Sequence, residues 1–350
     1  MSRFSSSNCV FALLSAGLFP QAAVRASNLY VGDFSSGNGS VNYFNATSGA
    51  FILNTTVPGN TMSVPGQMAN GPNGNLYVAD GAGAVDVFNP TTGAYLSQFG
   101  SSQLVTPSGL VFTSAGDFYI SDSSGGNGFV DEFDASGNYL GQPIAPGADG
   151  MSFPNALTIG PDGNLYIADE GNGDIYKYNF TTLVLSVFAT DAGAALNLVF
   201  GPNGNLYVMS SLNGGTVDVF NGTGGYISAF GDTSTALGAG SLGMAFGPDG
   251  NLYVADSNGV DIVDGITGNV TGNFISVNNN PTVINPTFLT FQPPGSSTPE
   301  PSTFLLGALG LIVIGSLRAA RKTFQKAITE HETFDCERDY IRGRRATARE

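Results

Sequence analysis

Tryptophan is absent from this chain of 350 residues, histidine occurs once and cysteine twice. The cysteines, Cys9 and Cys336, lie near opposite ends, so the long stretch between them holds no disulfide in any compartment. The one histidine, His331, is also near the C-terminus. Everything before it lacks the side chain most used for acid–base work at neutral pH. Basic residues are scarcer still where it matters: between Ser27 and Thr298 there are 20 Asp and Glu against a single base, Lys177, a net charge of −19. Such a surface repels phosphate backbones, which excludes nucleic acid as a partner and leaves cations and hydroxyl-rich polymers.

What is present points to an all-β chain. There are 49 Gly, a content that would otherwise suggest disorder, but 13 Tyr, 25 Phe and a hydrophobic share of 42% supply a core. Charged residues make up 11%.

The two ends read as addresses. Arg3, an apolar run from Val10 to Phe19 and the small-residue stretch ending at Ala26 predict a secretory signal over residues 1–26, removed by signal peptidase. The run is too short for a membrane span. Near the other end, Pro299-Glu300-Pro301 precedes an uncharged apolar run from Phe304 to Leu317, followed by Arg318, Arg321 and Lys322. The bases keep their side of the membrane cytoplasmic, which puts the bulk of the chain outside. This arrangement resembles the PEP-CTERM sorting signal of exopolysaccharide-producing Gram-negative bacteria. The resemblance implies a sorting segment over 296–322 with a single apolar membrane helix at about 303–317. It also implies recognition and cleavage by an exosortase in the inner membrane, then release to the envelope or the extracellular matrix. The chain departs from that pattern by continuing past the bases with a polar tail, 323–350.

Between the ends one phrase recurs six times. It begins at Leu29, Leu76, Phe118, Leu165, Leu206 and Leu252, at spacings of 47, 42, 47, 41 and 46 residues. Periods in the forties with several short strands each are the mark of propeller blades. Each copy supplies an apolar run such as "LNLVF", a Gly-Pro-Asp/Asn-Gly turn, an "NLYVAD" strand, a strand such as "AVDVFN" and an outer segment such as "TTGAYLSQF". In the turn, Pro sets the second position and Gly accepts positive φ. The first copy has no inner strand before it, whereas "PTFLTFQPPG", Pro286 to Gly295, is an inner strand and turn with no blade of its own. Residues 27–295 are therefore expected to form a six-bladed β-propeller of four-stranded antiparallel blades. The C-terminal strand should slot beside Leu29 and remove two exposed sheet edges. "GPDGNLYVADS", Gly247 to Ser257, resembles the NHL repeat and the six-bladed propellers of the gluconolactonase group. That resemblance is specific for fold and says little about activity.

Chemistry is harder to find. Asp33, Asp80, Asp122, Asp169 and Asp256 recur where a strand meets a Gly-rich turn. Two readings apply: carboxylates capping backbone N–H groups, or a ring that gathers a cation. In lactonase-like relatives, the resemblance implies a divalent metal near the axis, held by Asn, Asp and Glu. The corresponding entry positions here are Gly66, Ser108, Asn155, Leu196, Leu242 and Thr287. Asn155 alone matches, and leucine cannot ligate a hard cation. Glu170 and Glu132 are the ring's only glutamates, and Glu170 replaces a serine after the shared Asp in one blade. Asn155 and Glu170 are thus the candidate ligands for a divalent cation such as Ca²⁺, with no other cofactor implied. Five Asn-X-Thr sequences, at Asn45, Asn54, Asn179, Asn221 and Asn269, fit the glycan-acceptor pattern, which arises often by chance in Thr/Asn-rich β proteins. The reading these residues support is a non-catalytic binding or scaffold module, taking a polysaccharide, protein or cation on one propeller face. The alternative is a lactonase-like metal-dependent hydrolase using the central channel.

Overall fold

The computed structural model describes residues 28–35, 38–59, 62–190, 193–211, 215–231, 237, 240, 242–280 and 282–293. The signal segment, the sorting segment with Pro299, Glu300, Pro301, Arg318, Arg321 and Lys322, and the polar tail lie outside them. Six four-stranded antiparallel sheets stand around an axis. The second blade is β4 (Pro65–Asn70), β5 (Leu76–Asp80), β6 (Ala84–Phe88) and β7 (Tyr95–Phe99). The third is β8 (Pro107–Phe112), β9 (Phe118–Asp122), β10 (Phe129–Phe133) and β11 (Tyr139–Ile144). The fourth is β12 (Pro154–Ile159), β13 (Leu165–Asp169), β14 (Asp174–Asn179) and β15 (Val184–Thr190). The fifth is β16 (Ala195–Phe200), β17 (Leu206–Ser210), β18 (Thr216–Phe220) and β19 (Tyr226–Ala229). The sixth is β20 (Gly243–Phe246), β21 (Leu252–Asp256), β22 (Gly259–Val263) and β23 (Val270–Ser276).

The first blade contains the clasp. Its order is β24 (Pro286–Phe291), β1 (Asn28–Ser35), β2 (Asn38–Asn45) and β3 (Phe51–Thr55). Leu29 faces Phe291, Tyr30 faces Thr290 and Val31 faces Leu289. Two further backbone bonds extend the pairing, Gln292 N to Asn28 O at 2.8 Å and Phe34 N to Asn285 O at 3.0 Å. The inner strands β24, β4, β8, β12, β16 and β20 each touch the next, and β20 returns to β24. The ring is closed.

Local chemistry explains each blade. In the Gly-Pro-Asn/Asp-Gly turns the last glycine donates to the first, as from Gly74 N to Gly71 O and Gly163 N to Gly160 O, both at 2.9 Å. The last glycine takes φ of +81° and +76° at Gly74 and Gly163, where a side chain would be strained. The third turn residue reaches the tyrosine four positions on: Asn73 Nδ2 donates to the Tyr77 hydroxyl at 2.8 Å, and the Tyr166 hydroxyl donates to Asp162 Oδ2 at 3.1 Å. Those tyrosine rings pack edge-on against a phenylalanine ending the next blade's inner strand. The centroids are 4.9 Å apart for Tyr77–Phe112 and 5.0 Å for Tyr166–Phe200, Tyr207–Phe246 and Tyr253–Phe291. Each such pair adds roughly 1 kcal/mol beyond its buried area, so the repeat's Tyr is glue between blades.

Burial follows the radius. All five residues of β5, β9, β13, β17 and β21 are buried, whereas β19 is exposed throughout. A second strand has sheets on both faces, so its alternation of polar and apolar is lost. Because inner strands all run the same way, the ring has two distinct faces: an entry face where they begin, and a turn face carrying the Gly-Pro turns. Asn28 and Gln292 pair at the turn face, so the chain joins and leaves the ring opposite the entry face. Among the described residues no helix is long and apolar enough to cross a membrane.

Candidate functional site at the channel mouth

The entry face is shaped by bulges. Register slips between Pro65 and Met68, Pro107 and Leu110, Pro154 and Ala156, and Ala195 and Asn197, and again where β1 meets β24. Gly66, Ser108, Asn155, Leu196 and Thr287 all fall within these slips, and a bulge re-aims the side chain it carries. At Gly66 the backbones come so close that a Cβ would lie 2.4 Å from the Ser108 carbonyl. The Thr287 hydroxyl donates to the Pro65 carbonyl at 2.7 Å, tying the first blade to the second at the rim.

Asn155 and Glu170, singled out in the sequence, are in contact. Asn155 Nδ2 donates to Glu170 Oε2 at 3.0 Å, while Asn155 Oδ1 accepts a short bond from the Ser108 hydroxyl. The structure thus adds Ser108 to the pair. Partial loss of hydration raises the Glu170 carboxyl above the ordinary glutamate value, with the Asn155 amide opposing the rise and the Asp169 charge adding to it. Glu132, the other glutamate, is not at the mouth: it accepts the Tyr119 hydroxyl at 2.6 Å between β9 and β10. Three side-chain oxygens, those of Ser108, Asn155 and Glu170, are about half of what calcium usually takes. Among the described residues no three His, Cys, Asp or Glu side chains are grouped to hold a metal ion.

Gln67 was invisible from sequence and closes the ring just inside the mouth. Its Nε2 donates to Leu157 O at 2.8 Å, and its Oε1 accepts from Leu157 N at 2.9 Å and Leu110 N at 3.0 Å. One amide therefore spans from β4 past β8 to β12. Nothing in "PGQMAN" singles it out, since Asn70 in the same strand is polar too. Across the mouth a cavity of about 250 Å³ is lined by Phe34, Val64, Leu242, Pro286 and Thr287. Before the inner strands of the first four blades stands a broken apolar rim, of which Val64 also lines the cavity. Val64, Val105, Phe153 and Ile284, each one or two residues before the proline that opens an inner strand, are 41%, 54%, 46% and 52% exposed.

The recurring aspartates hold these rim loops. Asp169 accepts Ser152 N at 2.7 Å, Phe153 N at 2.9 Å and Gly171 N at 2.8 Å. Asp80 accepts Ser63 N and Ala82 N, Asp122 accepts Val105 N and Thr106 N, and Asp33 accepts Ile284 N and Asn285 N. Asp256 caps Asn258 N at 2.7 Å. In the fifth blade, where Ser210 replaces Asp, Ser211 makes the link, its hydroxyl accepting Ala194 N at 3.1 Å. The capping reading of these carboxylates holds, with a partner sequence did not reveal: for Asp80, Asp122 and Asp169 the loop some seventeen residues upstream, and for Asp33 the loop just before β24. Three of the Asn-X-Thr sequences are turn chemistry of the same kind, since the Asn45, Asn179 and Asn221 side chains accept the N–H of the Thr two residues on.

No family model matches the chain, and no curated protein matches it. Among solved structures, a nidogen/laminin complex is similar at a TM-score of 0.57 and 14% identity, over 76% of this chain and 98% of that one. A putative 6-phosphogluconolactonase from Bacteroides fragilis is similar at 0.53 and 17% identity, over 78% and 99%. A putative gluconolactonase is similar at 0.50 and 17%, over 71% and 90%. At these identities the likeness is one of fold, and the fold hosts unrelated functions.

Proposed function

We propose that the protein is a non-catalytic binding module of the NHL and gluconolactonase type of propeller, with the entry face as its binding surface. The observation that carries this reading is the exposed apolar rim of Val64, Val105, Phe153 and Ile284 beside the 250 Å³ cavity. These side chains sit on loops latched by buried carboxylates, so a partner would meet a preformed surface and little ordering cost. Apolar side chains gathered on one face of an acidic molecule suit a protein segment carrying apolar and basic side chains. The end segments set the place: export across the inner membrane by the signal, exosortase recognition of the sorting segment, and residence in the envelope or a polysaccharide matrix.

The Asn155–Glu170 contact favours one second reading, a lactonase-like hydrolase with a divalent cation at the mouth. One set of measurements separates the two. A Val64→Ser, Phe153→Ser double variant should melt within about 3 °C of the wild type. It should also lose at least about tenfold in affinity for Arg/Leu-rich model peptides on a sensor chip, a loss of about 1.4 kcal/mol. Equal binding by both proteins rejects the entry-face reading. One tightly held divalent ion per chain after dialysis, with lactone hydrolysis lost in Asn155→Ala, would establish the hydrolase instead.

A further inference from the structure

The second blade buries two carboxyl groups whose oxygens do not find enough donors. Asp80 closes β5 and Asp86 lies in β6, and neither is exposed to solvent. Asp80 Oδ1 is occupied by Ser63 N at 2.8 Å and Ala82 N at 3.0 Å. Its Oδ2 and both oxygens of Asp86 have no hydrogen-bond partner. Buried polar atoms are almost always satisfied, and an unpaired charge is the costliest exception.

Comparison around the ring shows what sets this pair apart. In the third and sixth blades burial, with the Asp122 and Asp256 charges adding, also raises Asp131 and Asp261, but each of those has a donor on its own outer strand. The third-strand position that faces Val78 in the second blade is Asn42 in the first, Asp131 in the third, Asp218 in the fifth and Asp261 in the sixth. An outer-strand side chain reaches each of these. Asn54 Nδ2 donates to Asn42 Oδ1 at 2.9 Å, and Gln142 and Tyr139 donate to Asp131 at 3.2 and 3.3 Å. Tyr226 donates to Asp218 at 3.3 Å and Asn273 to Asp261 at 2.8 Å. In the second blade Gln98 stands in register with Asp86 and its amide opposes the rise of that carboxyl, yet no donor comes within hydrogen-bond geometry of either Asp86 oxygen. The titratable group beside the pair is Tyr95 on β7, whose hydroxyl is raised by burial and then by the Asp86 charge, while Tyr30 and Tyr43 of the first blade share a core cluster with Val78 and Phe88. None is a base. Lys177, in the fourth blade, is bound to Asp162 at 2.6 Å.

We propose that Asp80 and Asp86 share a single proton, and that this buried pair makes the propeller a structure fastened by acid and loosened at its second blade by alkali. The proton comes from solvent and sits on Asp86, whose O–H donates to Asp80 Oδ2. Asp80 thereby keeps a carboxylate for its two backbone donors. Two facing carboxyls that cannot both ionise in a low-dielectric site are a known arrangement. Burial first, then the Asp80 charge, push the Asp86 carboxyl up to about 7, and burial raises Asp80 as well. The sign follows. A raised carboxyl binds its proton in the folded state while the unfolded chain has released it, so its contribution is full below the ordinary aspartate range and lost as pH rises through about 7. When the second charge forms, the latch on Ser63 is the contact that like-charge repulsion acts on.

The test is thermal melting of the full chain at about pH 5 and about pH 8, wild type against Asp86→Asn. The amide supplies the missing N–H without a proton to lose. The variant should match the wild type at the lower pH and exceed it by at least about 3 °C at the higher. An equal loss of melting temperature at both pH values overturns the proposal. So does a wild type whose melting temperature rises with calcium and falls with chelator while the variant responds to neither, because a cation would then hold the pair. Should the variant fail to fold, infrared spectroscopy of the wild type decides: a protonated-carboxyl C=O band persisting to about pH 6.5 supports the shared proton, and its absence there overturns it.

Discussion

Asp169 holds three backbone N–H groups from two separate segments, and a change there leaves all three without that partner in a part-buried setting. Because these donors are only part-buried, replacing it with alanine should cost about 2 kcal/mol, less than the sum at roughly 1 kcal/mol per donor that full burial would give. Urea denaturation should show this as a lower midpoint with an unchanged slope. A loss below about 1 kcal/mol would mean that water replaces the carboxylate and that the loop is not latched. Part of this chemistry was legible. An Asp preceding a Gly-rich turn announces a cap, and Gly171 N is the expected local partner. Ser152 and Phe153 could not be expected, because their arrival beside Asp169 depends on how β12 pairs with β13. The third-strand acids went unread for a different reason. "VDVF" and "VDEF" look like half-exposed strands of alternating pattern, whereas Asp86 and Asp131 are buried under the outer strand.

At the scale of elements, closure rests on β24. Its six residues complete a blade whose first strand in sequence, β1, begins more than two hundred and fifty positions earlier. Leu289 is 5% exposed and packs with Leu29, Val31 and Phe44. Leu289→Asp places a charge in that cluster with no base near it, at a cost of about 3–5 kcal/mol. It should also free the edges of β1 and β24 for pairing with other chains. Size-exclusion chromatography should then show aggregates in place of a monomer-sized peak, and an unaltered elution profile would mean that the ring does not depend on the clasp. The clasp itself was legible in "PTFLTFQPPG", because an inner strand without a blade and a blade without an inner strand leave one arrangement with no exposed edge. The bulges at the channel mouth were not, since nothing in the one-dimensional pattern distinguishes a slipped residue from a paired one.

At the scale of the whole molecule, charge and addresses dominate. A ring with 20 acids and one base repels its own copies and any phosphate-rich surface, which leaves cationic or neutral partners. The end segments make a sharp prediction for the exported chain. Mass spectrometry of material released from cells should give an N-terminus at Ser27 and no residues beyond the Pro299-Glu300-Pro301 region. A released protein retaining Arg318 and the polar tail would remove the sorting signal from the account.

The repeats, the turn chemistry and the closing strand were set by the sequence alone, because they depend on spacing and on residues with strong local preferences. Six similar sheets with apolar faces have few ways to hide them, and a ring is the one that the unmatched end strands complete. Tertiary structure alone decided which residues meet across blades: Ser108 and Glu170 on Asn155, Gln67 across three inner strands, and Asp80 against Asp86 without a donor. Those meetings come from sheets packing at a common axis, where side chains far apart in sequence are brought within hydrogen-bond distance and water is shut out.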